Sequence, residues 1–302
     1  PISNPSAATE SNSNNSYLNL NISNVYTGIY LNGNANFPDQ NCVVANTSPT
    51  SFNTIGAATA NDIGAGTGNT ATYGIRANNQ SSVSIHNNEV RNLSHAGTST
   101  VEGIVLDAAQ GTSTVYMNKV HDVNYTGGVG TTNVTGIRAN LSAAGGSTAR
   151  VWNNFIYNIG SSYAGGPSAI RAVRGIYVQS LGGGGNTDTL SIDFNNVRLD
   201  VSGALNISST CFETGSGNGP VLNLRNNAFA NFTANQTGTP MHYDVVSSVT
   251  TSIGNAGSVS NYNDLYIANT GNGNVGLGQT TNYATLGNWQ DRKSTRLNSS
   301  HR

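Results

Sequence analysis

Short stretches in which apolar and polar residues alternate recur along this chain, and each breaks at an asparagine before the alternation resumes. The segments run from Ile85 to Leu93, Val115 to Val123, Val151 to Ile159, Ile192 to Asn195, Leu224 to Phe232 and, more faintly, Val259 to Asp264. Period-two alternation marks β-strands, because successive side chains in a strand point to opposite faces. Aligning the segments puts Ile85, Val115, Val151, Ile192 and Leu224 in one apolar column and Val90, Val120, Ile156, Val197 and Phe229 in another. Upstream, the same units open on Gly74, Gly103, Gly136 and Gly175, with Cys211 in the fifth place. Self-similarity over tens of residues is the mark of a repeat architecture, and short β-runs make the expected fold all-β, a β-solenoid. Stacking equivalent strands about 4.8 Å apart predicts three parallel sheets around one narrow core.

The glycines fall at 74, 103, 136 and 175, so the units differ in length. A constant rung with variable-length loops produces that pattern, since insertions outside the stacked strands leave them unchanged. Asn88, Asn118, Asn154, Asn195 and Asn227 sit between the second and third strands of each unit. Asparagine tolerates the left-handed backbone that a sharp corner requires, and stacked amides can hydrogen-bond along the axis, so these five are expected to form a structural ladder. A second polar column, Asn92, Asp122, Asn158 and Asn231, is expected at the next corner; one carboxylate among amides makes a poor cation site.

The regular repeats are expected over 73–247. Residues 1–72 read as less regular coils, with an early coil from Tyr17 to Asn32 and a long excursion over 33–72, and residues 248–290 as a fading coil in which Gly271 to Gly278 is loop. Asp291 to His301 resembles the translation of a short-read sequencing adapter, so 291–302 is expected to be a non-native tail. With that tail and the start at Pro1, the chain reads as a piece of a longer frame.

Composition narrows the function classes. Charged residues make up 9% of the chain, whereas 36 residues are Gly and 46 are Asn, so the surface is polar without being charged. Setting aside Asp291, Arg292, Lys293, Arg296 and Arg302 turns 13 basic and 14 acidic residues into 9 and 13, moving the net charge from −1 to −4. That balance disfavours a nucleic-acid partner, whose phosphates demand clustered Lys and Arg. No apolar run approaches the roughly 18 residues of a spanning helix, so no membrane span is expected. Cys42 and Cys211 are expected to be free, buried thiols.

With these motifs, residues 73 to about 235 resemble the right-handed parallel β-helix proteins of the pectin-lyase-like superfamily. The right-handed coiling follows from that resemblance and from the general preference for right-handed crossovers. The resemblance implies an extracellular polysaccharide as the usual target, on a fold shared by lyases, hydrolases, esterases, phage tail proteins and adhesins, so the fold alone decides little about activity. The family's pectin-hydrolase segments are missing, and Asn186-Thr187-Asp188 is a loose partial match without partners. A glycosidase needs two carboxylates about 5–9.5 Å apart on one face. The outward ladder Asn78, Asp107, Asn140 and Gln179 offers one acid.

Two outward rows carry candidate chemistry. Arg76 and Arg138 occupy equivalent positions two rungs apart, with Asp107 between them and Tyr177 and Glu213 on the same face. In a polysaccharide lyase such a trio would supply cations for a uronate and a base, with Ca2+ as a possible cofactor; otherwise it is a surface ion-pair row worth under about 1 kcal/mol per exposed pair. The second row is His86, Tyr116, Trp152, Asp193 and Arg225. Exposed ring faces can stack on sugars, with the Asp and Arg available for hydroxyls, while long loops after Leu93, Val123 and Ile159 could instead cover the rings as a satellite core. No second ligand is expected beside His86, so no metal site is expected there. The sequence therefore points to a secreted or bacterial cell-surface module, structural or adhesive, whose partner is a polysaccharide or cell-surface glycan. A lyase acting on acidic polysaccharide is the enzymatic alternative and a phage tail-spike fragment a further one. Open sheet edges would permit end-to-end association.

Overall fold

The computed structural model describes residues 7–48, 50–56, 63, 71–126, 133–141, 146–161, 172–178, 188–201, 207–215, 221–233, 241–247, 258–268, 271–278 and 281–289. The chain is all-β and passes through three stacked parallel sheets in turn. The first, here the ring sheet, holds Ser16–Leu18, Val43–Ala45, Ser84–His86, Thr112–Tyr116, Thr148–Trp152, Thr189–Asp193, Val221–Arg225 and Val259–Asn261. The asparagine sheet follows with Asn21–Ile22, Asn53–Ile55, Asn88–His95, Lys119–Tyr125, Phe155–Ser161, Asn196–Leu199, Ala228–Asn231 and Asp264–Ile267. The glycine sheet completes each circuit with Thr27–Asn32, Thr72–Asn78, Val101–Ala109, Val134–Leu141, Val173–Val178, Ser209–Thr214, His242–Ser247 and Gly273–Gly278. This cyclic order of parallel strands is compatible with a β-helix. Tail residues 291–302 lie outside the described residues, as does Gln179.

Equivalent positions stack in register, as the aligned apolar columns require. Ile85, Val115, Val151, Ile192 and Leu224 pair in series and are fully buried, and Val90, Val120, Ile156, Val197 and Phe229 do the same on the asparagine sheet. Burying each such side chain contributes about 1.5–3 kcal/mol, and the column repeats that gain once per circuit. The glycines are required by close approach. A Cβ on Gly136 would lie 2.7 Å from the Gly175 carbonyl oxygen and 2.6 Å from the Ile156 side chain. Beyond Gly175 the same column continues as Cys211 and Asp244, both buried, and both cysteines are free and buried.

The asparagine ladder is longer than its five expected members. Asn53 begins it and Asn263 extends it, with Nδ2–H···Oδ1 bonds of 2.8 Å from Asn53 to Asn88, 2.9 Å to Asn118, 3.0 Å to Asn154, 2.9 Å to Asn195, 3.1 Å to Asn227 and 2.9 Å to Asn263. Each inner amide also bonds backbone. Asn154 Nδ2 donates to the Val115 carbonyl at 3.0 Å, and Asn154 Oδ1 accepts from the Asn118 backbone N–H at 3.1 Å. The left-handed corner, however, is formed by the residue before the ladder asparagine in the six units from Asn88 to Asn263. Asn87, Met117, Asn153, Phe194, Asn226 and Tyr262 have φ of 53° to 58°. The ladder residue is thus selected for its buried amide, which fixes the corner firmly enough that Met, Phe and Tyr adopt the strained backbone beside it. In the second column, Asn92, Asp122 and Asn158 are themselves left-handed, with φ of 55°, 54° and 51°. They bend continuous strands rather than ending them, and Asn231 is buried against Ser209.

Two stretches carry more structure than their patterns suggest. Residues 33–72, read as an excursion, contribute Val43–Ala45 and Asn53–Ile55, so two of a circuit's three strands fall within them and the third, Thr72–Asn78, begins at their end. Gly271 to Gly278, read as loop, includes the strand Gly273–Gly278, which pairs with His242–Ser247 and receives the antiparallel strand Thr281–Tyr283. Glycine is admitted there because the Trp289 indole lies where a Gly276 side chain would be, 2.2 Å from an added Cβ.

Candidate functional site

The glycine sheet brings the Arg-Asp-Arg trio together and adds an acid. Arg76 Nη2 lies 2.8 Å from Asp107 Oδ2, Arg138 Nη1 3.5 Å from Asp107 Oδ1, and Arg138 Nε 2.8 Å from Glu102 Oε1. Asn140 Nδ2 also donates to Asp107. Burial by itself would raise the Asp107 carboxyl, but Arg138 beside it and the hydrogen bonds from Arg76 and Asn140 hold it below its ordinary value. Such a carboxylate is a weak base, poorly suited to taking a proton at neutral pH. Glu102 and Arg138 are 5% and 8% exposed, whereas the Arg76 and Asp107 side chains are 24% and 18% exposed, so the contacts run from a partly exposed pair into a buried one. One circuit on, Arg174 Nε meets Glu213 Oε2 at 2.7 Å, with Arg174 and Glu213 8% and 1% exposed, and the Arg174 guanidinium lies over the Tyr177 ring at 4.1 Å.

Glu102 and Arg174 were not singled out in the sequence because period-two counting puts them on the wrong face. Pairing skips each glycine: Glu102 pairs with Thr135 and Ile104 with Ile137. The residue one before each glycine therefore shares a face with the residue two after it, as the Glu102–Arg138 contact requires. An offset of −1 and +2 about Gly74, Gly103, Gly136 and Gly175 is the signal that finds both.

The second row is assembled in register as His86, Tyr116, Trp152, Asp193 and Arg225. His86 stacks on Tyr116 at 4.5 Å and Tyr116 on Trp152 at 4.2 Å, nearly parallel at 17° and 3°. Arg225 Nε lies 3.4 Å from Asp193 Oδ1. All three rings are half-buried, and burial lowers the His86 imidazole below its ordinary value, so it joins the stack as a neutral ring. The strand spacing of about 4.8 Å is close to the ring-stacking distance, so the rings cover one another. Tyr116 has both faces occupied. At its centre the row therefore offers the edge of Tyr116 to solvent, while His86 and Trp152 end the stack beside Ala45 and Asp193.

The asparagine sheet carries a third constellation that the sequence reading passed over. His121 stacks on Tyr157 at 4.6 Å, its Nδ1 2.6 Å from Asp122 Oδ2 and its Nε2 3.2 Å from Glu89 Oε1. A groove of about 440 Å³ beside it is lined by Phe155, Tyr157, Asn158, Arg198 and Asp200. Phe155 is 42% exposed. Burial, then Asp122 and Glu89, raise the Tyr157 phenol, which stays protonated. The alternation in Phe155-Ile156-Tyr157 and Val197-Arg198-Leu199-Asp200 was available as a signal, since these outward residues flank the inward Ile156, Val197 and Leu199.

Among the described residues, no group of three His, Cys, Asp or Glu side chains is placed to hold a metal ion, and no helix is long and apolar enough to cross a membrane. Of the Asn186-Thr187-Asp188 segment, only Asp188 is described; it is buried and accepts from the Ser147 backbone N–H at 2.7 Å. Within these limits the chain is a stacked parallel all-β protein with three decorated outer faces. No protein-family model, curated protein or solved structure matches it.

Proposed function

We propose that the chain is a right-handed parallel β-helix, of the pectin-lyase-like kind, that serves as a structural or adhesive module at a bacterial surface or outside the cell and holds glycan without turning it over. One observation carries the reading: the Arg76–Asp107–Arg138–Glu102 and Arg174–Glu213 contacts of the glycine sheet set arginines and acids against each other, whereas the ring sheet and the asparagine sheet add aromatic side chains, His86, Tyr116 and Trp152 on one and Phe155 and Tyr157 on the other. A strand stack presents such side chains at a constant spacing, which suits a repeating polymer. Handedness is supported by the general rule for parallel crossovers. The test is retention on immobilised polysaccharides without release of product. Retention on none of them overturns the reading.

Polysaccharide lysis is the second reading, favoured by the convergence of Arg76, Asp107 and Arg138 within 3.5 Å. It requires Asp107 to leave its arginines and act as a base. Unsaturated-uronide absorbance appearing when the chain is incubated with polygalacturonate, and vanishing in Arg138→Met, would establish it over the binding reading.

A further inference from the structure

The groove on the asparagine sheet differs from both rows read from the sequence in having an open ring. Phe155 pairs in register with Lys119 on one side and the short Asn196 on the other. Its ring contact among the described residues is the tilted one with Tyr157, at 4.7 Å and 35°. Tyr157 is fixed from below by His121, which the Glu89 and Asp122 carboxylates hold in place. On the next strand, Arg198 pairs with Tyr157 and packs over Phe232 at 4.8 Å, and its Nη2 reaches Asp200 Oδ2 at 3.5 Å. The Arg198 and Asp200 side chains are 56% and 52% exposed. A long, exposed contact of this kind contributes little to stability. The lining thus combines a partly open apolar ring, one cation, one anion and an exposed amide, Asn158, whose Nδ2 donates one hydrogen to Asp122 Oδ1 and keeps its second hydrogen and its oxygen for a ligand, in a volume within the usual range for small-molecule sites.

We propose that this groove binds a neutral pyranose unit of a polysaccharide, with Phe155 as the platform under the sugar ring and Asn158, Arg198 and Asp200 hydrogen-bonding its hydroxyls. The inference rests on the glycan-binding reading above and names the site and the ligand class. Sugar hydroxyls both donate and accept, matching a lining that holds a donor-only guanidinium, an acceptor-only carboxylate and an amide that does both. Charge decides against a uronate. Any gain at Arg198 would be opposed by Asp200 beside it and by Asp122 and Glu89 behind Tyr157, of which Arg91 offsets only Glu89, whereas an uncharged sugar can use both members of the Arg198–Asp200 pair.

Affinity electrophoresis of the full chain tests this, in gels cast with a soluble β-1,3-glucan, a xyloglucan, a galactomannan or polygalacturonate. At least one neutral polymer should retard the chain, with Phe155→Ala raising the dissociation constant at least tenfold and Asp200→Ala severalfold. Phe155→Ala should melt at the wild-type temperature, separating lost binding from lost folding. If a neutral polymer retards Phe155→Ala and Asp200→Ala as strongly as wild type, the groove is not the site, although glycan binding stands. Retardation by polygalacturonate alone refutes the neutral class while leaving the binding reading intact. Retardation by no polymer overturns both.

Discussion

The asparagine ladder and the arginine–acid contacts of the glycine sheet are both buried polar systems, yet they extend differently. An amide is donor and acceptor at once, so each ladder residue passes the pattern to the next, and six consecutive bonds run from Asn53 to Asn263. An ion pair satisfies itself within one or two circuits. Arg174 meets Glu213 and Arg138 meets Glu102, and the same columns elsewhere hold Thr135, Val105 or Val246. A repeat can therefore be built on the first kind of contact, whereas the second decorates it locally.

Breaking the ladder should have the largest effect. Asn154→Leu removes the acceptor of the Asn118 backbone N–H, the side-chain donor to the Val115 carbonyl and one bond from each of two neighbouring amides. A loss of about 4 kcal/mol is expected from the denaturant midpoint, since each buried unsatisfied group costs about 1–3 kcal/mol. Arg174→Met should cost about 3 kcal/mol by taking the guanidinium away from the buried Glu213 carboxylate, but adding Glu213→Leu should restore stability to within about 1 kcal/mol of wild type. No second substitution within the ladder should rescue Asn154→Leu in this way. A double mutant as unstable as Arg174→Met alone would erase the distinction.

Two buried groups at the far end of the glycine sheet sharpen the contrast by pH. Burial lowers His242 to about 4, with Nδ1 held 3.0 Å from the Ser209 hydroxyl and Nε2 lacking a partner among the described residues. The unfolded chain takes up the proton near pH 6.5 and the folded chain only near 4, so this contribution is full above about pH 6.5 and falls as pH drops toward 4. A loss of up to about 3 kcal/mol is expected over that window, and His242→Asn should reduce it in urea titrations between pH 7 and 4. Asp244 has the opposite sign: burial pushes its carboxyl well above the ordinary value, so its contribution is full at low pH and is lost as pH rises through the folded value. Asp244→Asn should gain about 1–2 kcal/mol at neutral pH and nothing below the ordinary aspartate value, as thermal melts at pH 3 and 7.5 would show.

Much of this design was legible in the chain. Column membership followed from alternation because a strand's side-chain period is fixed at two, and an asparagine two residues before an apolar one recurs at Asn53-x-Ile55, Asn88-x-Val90 and onward to Asn263-x-Leu265. The candidate rows were placed in register for the same reason. Where the count failed, a local backbone event had reset it: the skipped pairing at each glycine hid Glu102 and Arg174, and the left-handed corner fell on the preceding residue.

What the sequence determined by itself was the all-β repeat, the apolar columns, the amide ladder and the alignment of its outer rows, all consequences of short-range periodicity. Only the tertiary structure decided how those rows are used. Neighbouring strands lie about one ring thickness apart, so His86, Tyr116 and Trp152 close on one another, and the Arg76–Asp107–Arg138 trio draws in Glu102. Phe155 stays open because the next strand brings it Asn196. Exposure of a side chain depends on what the adjacent circuits place beside it, and that is set across tens of residues of chain rather than along one strand.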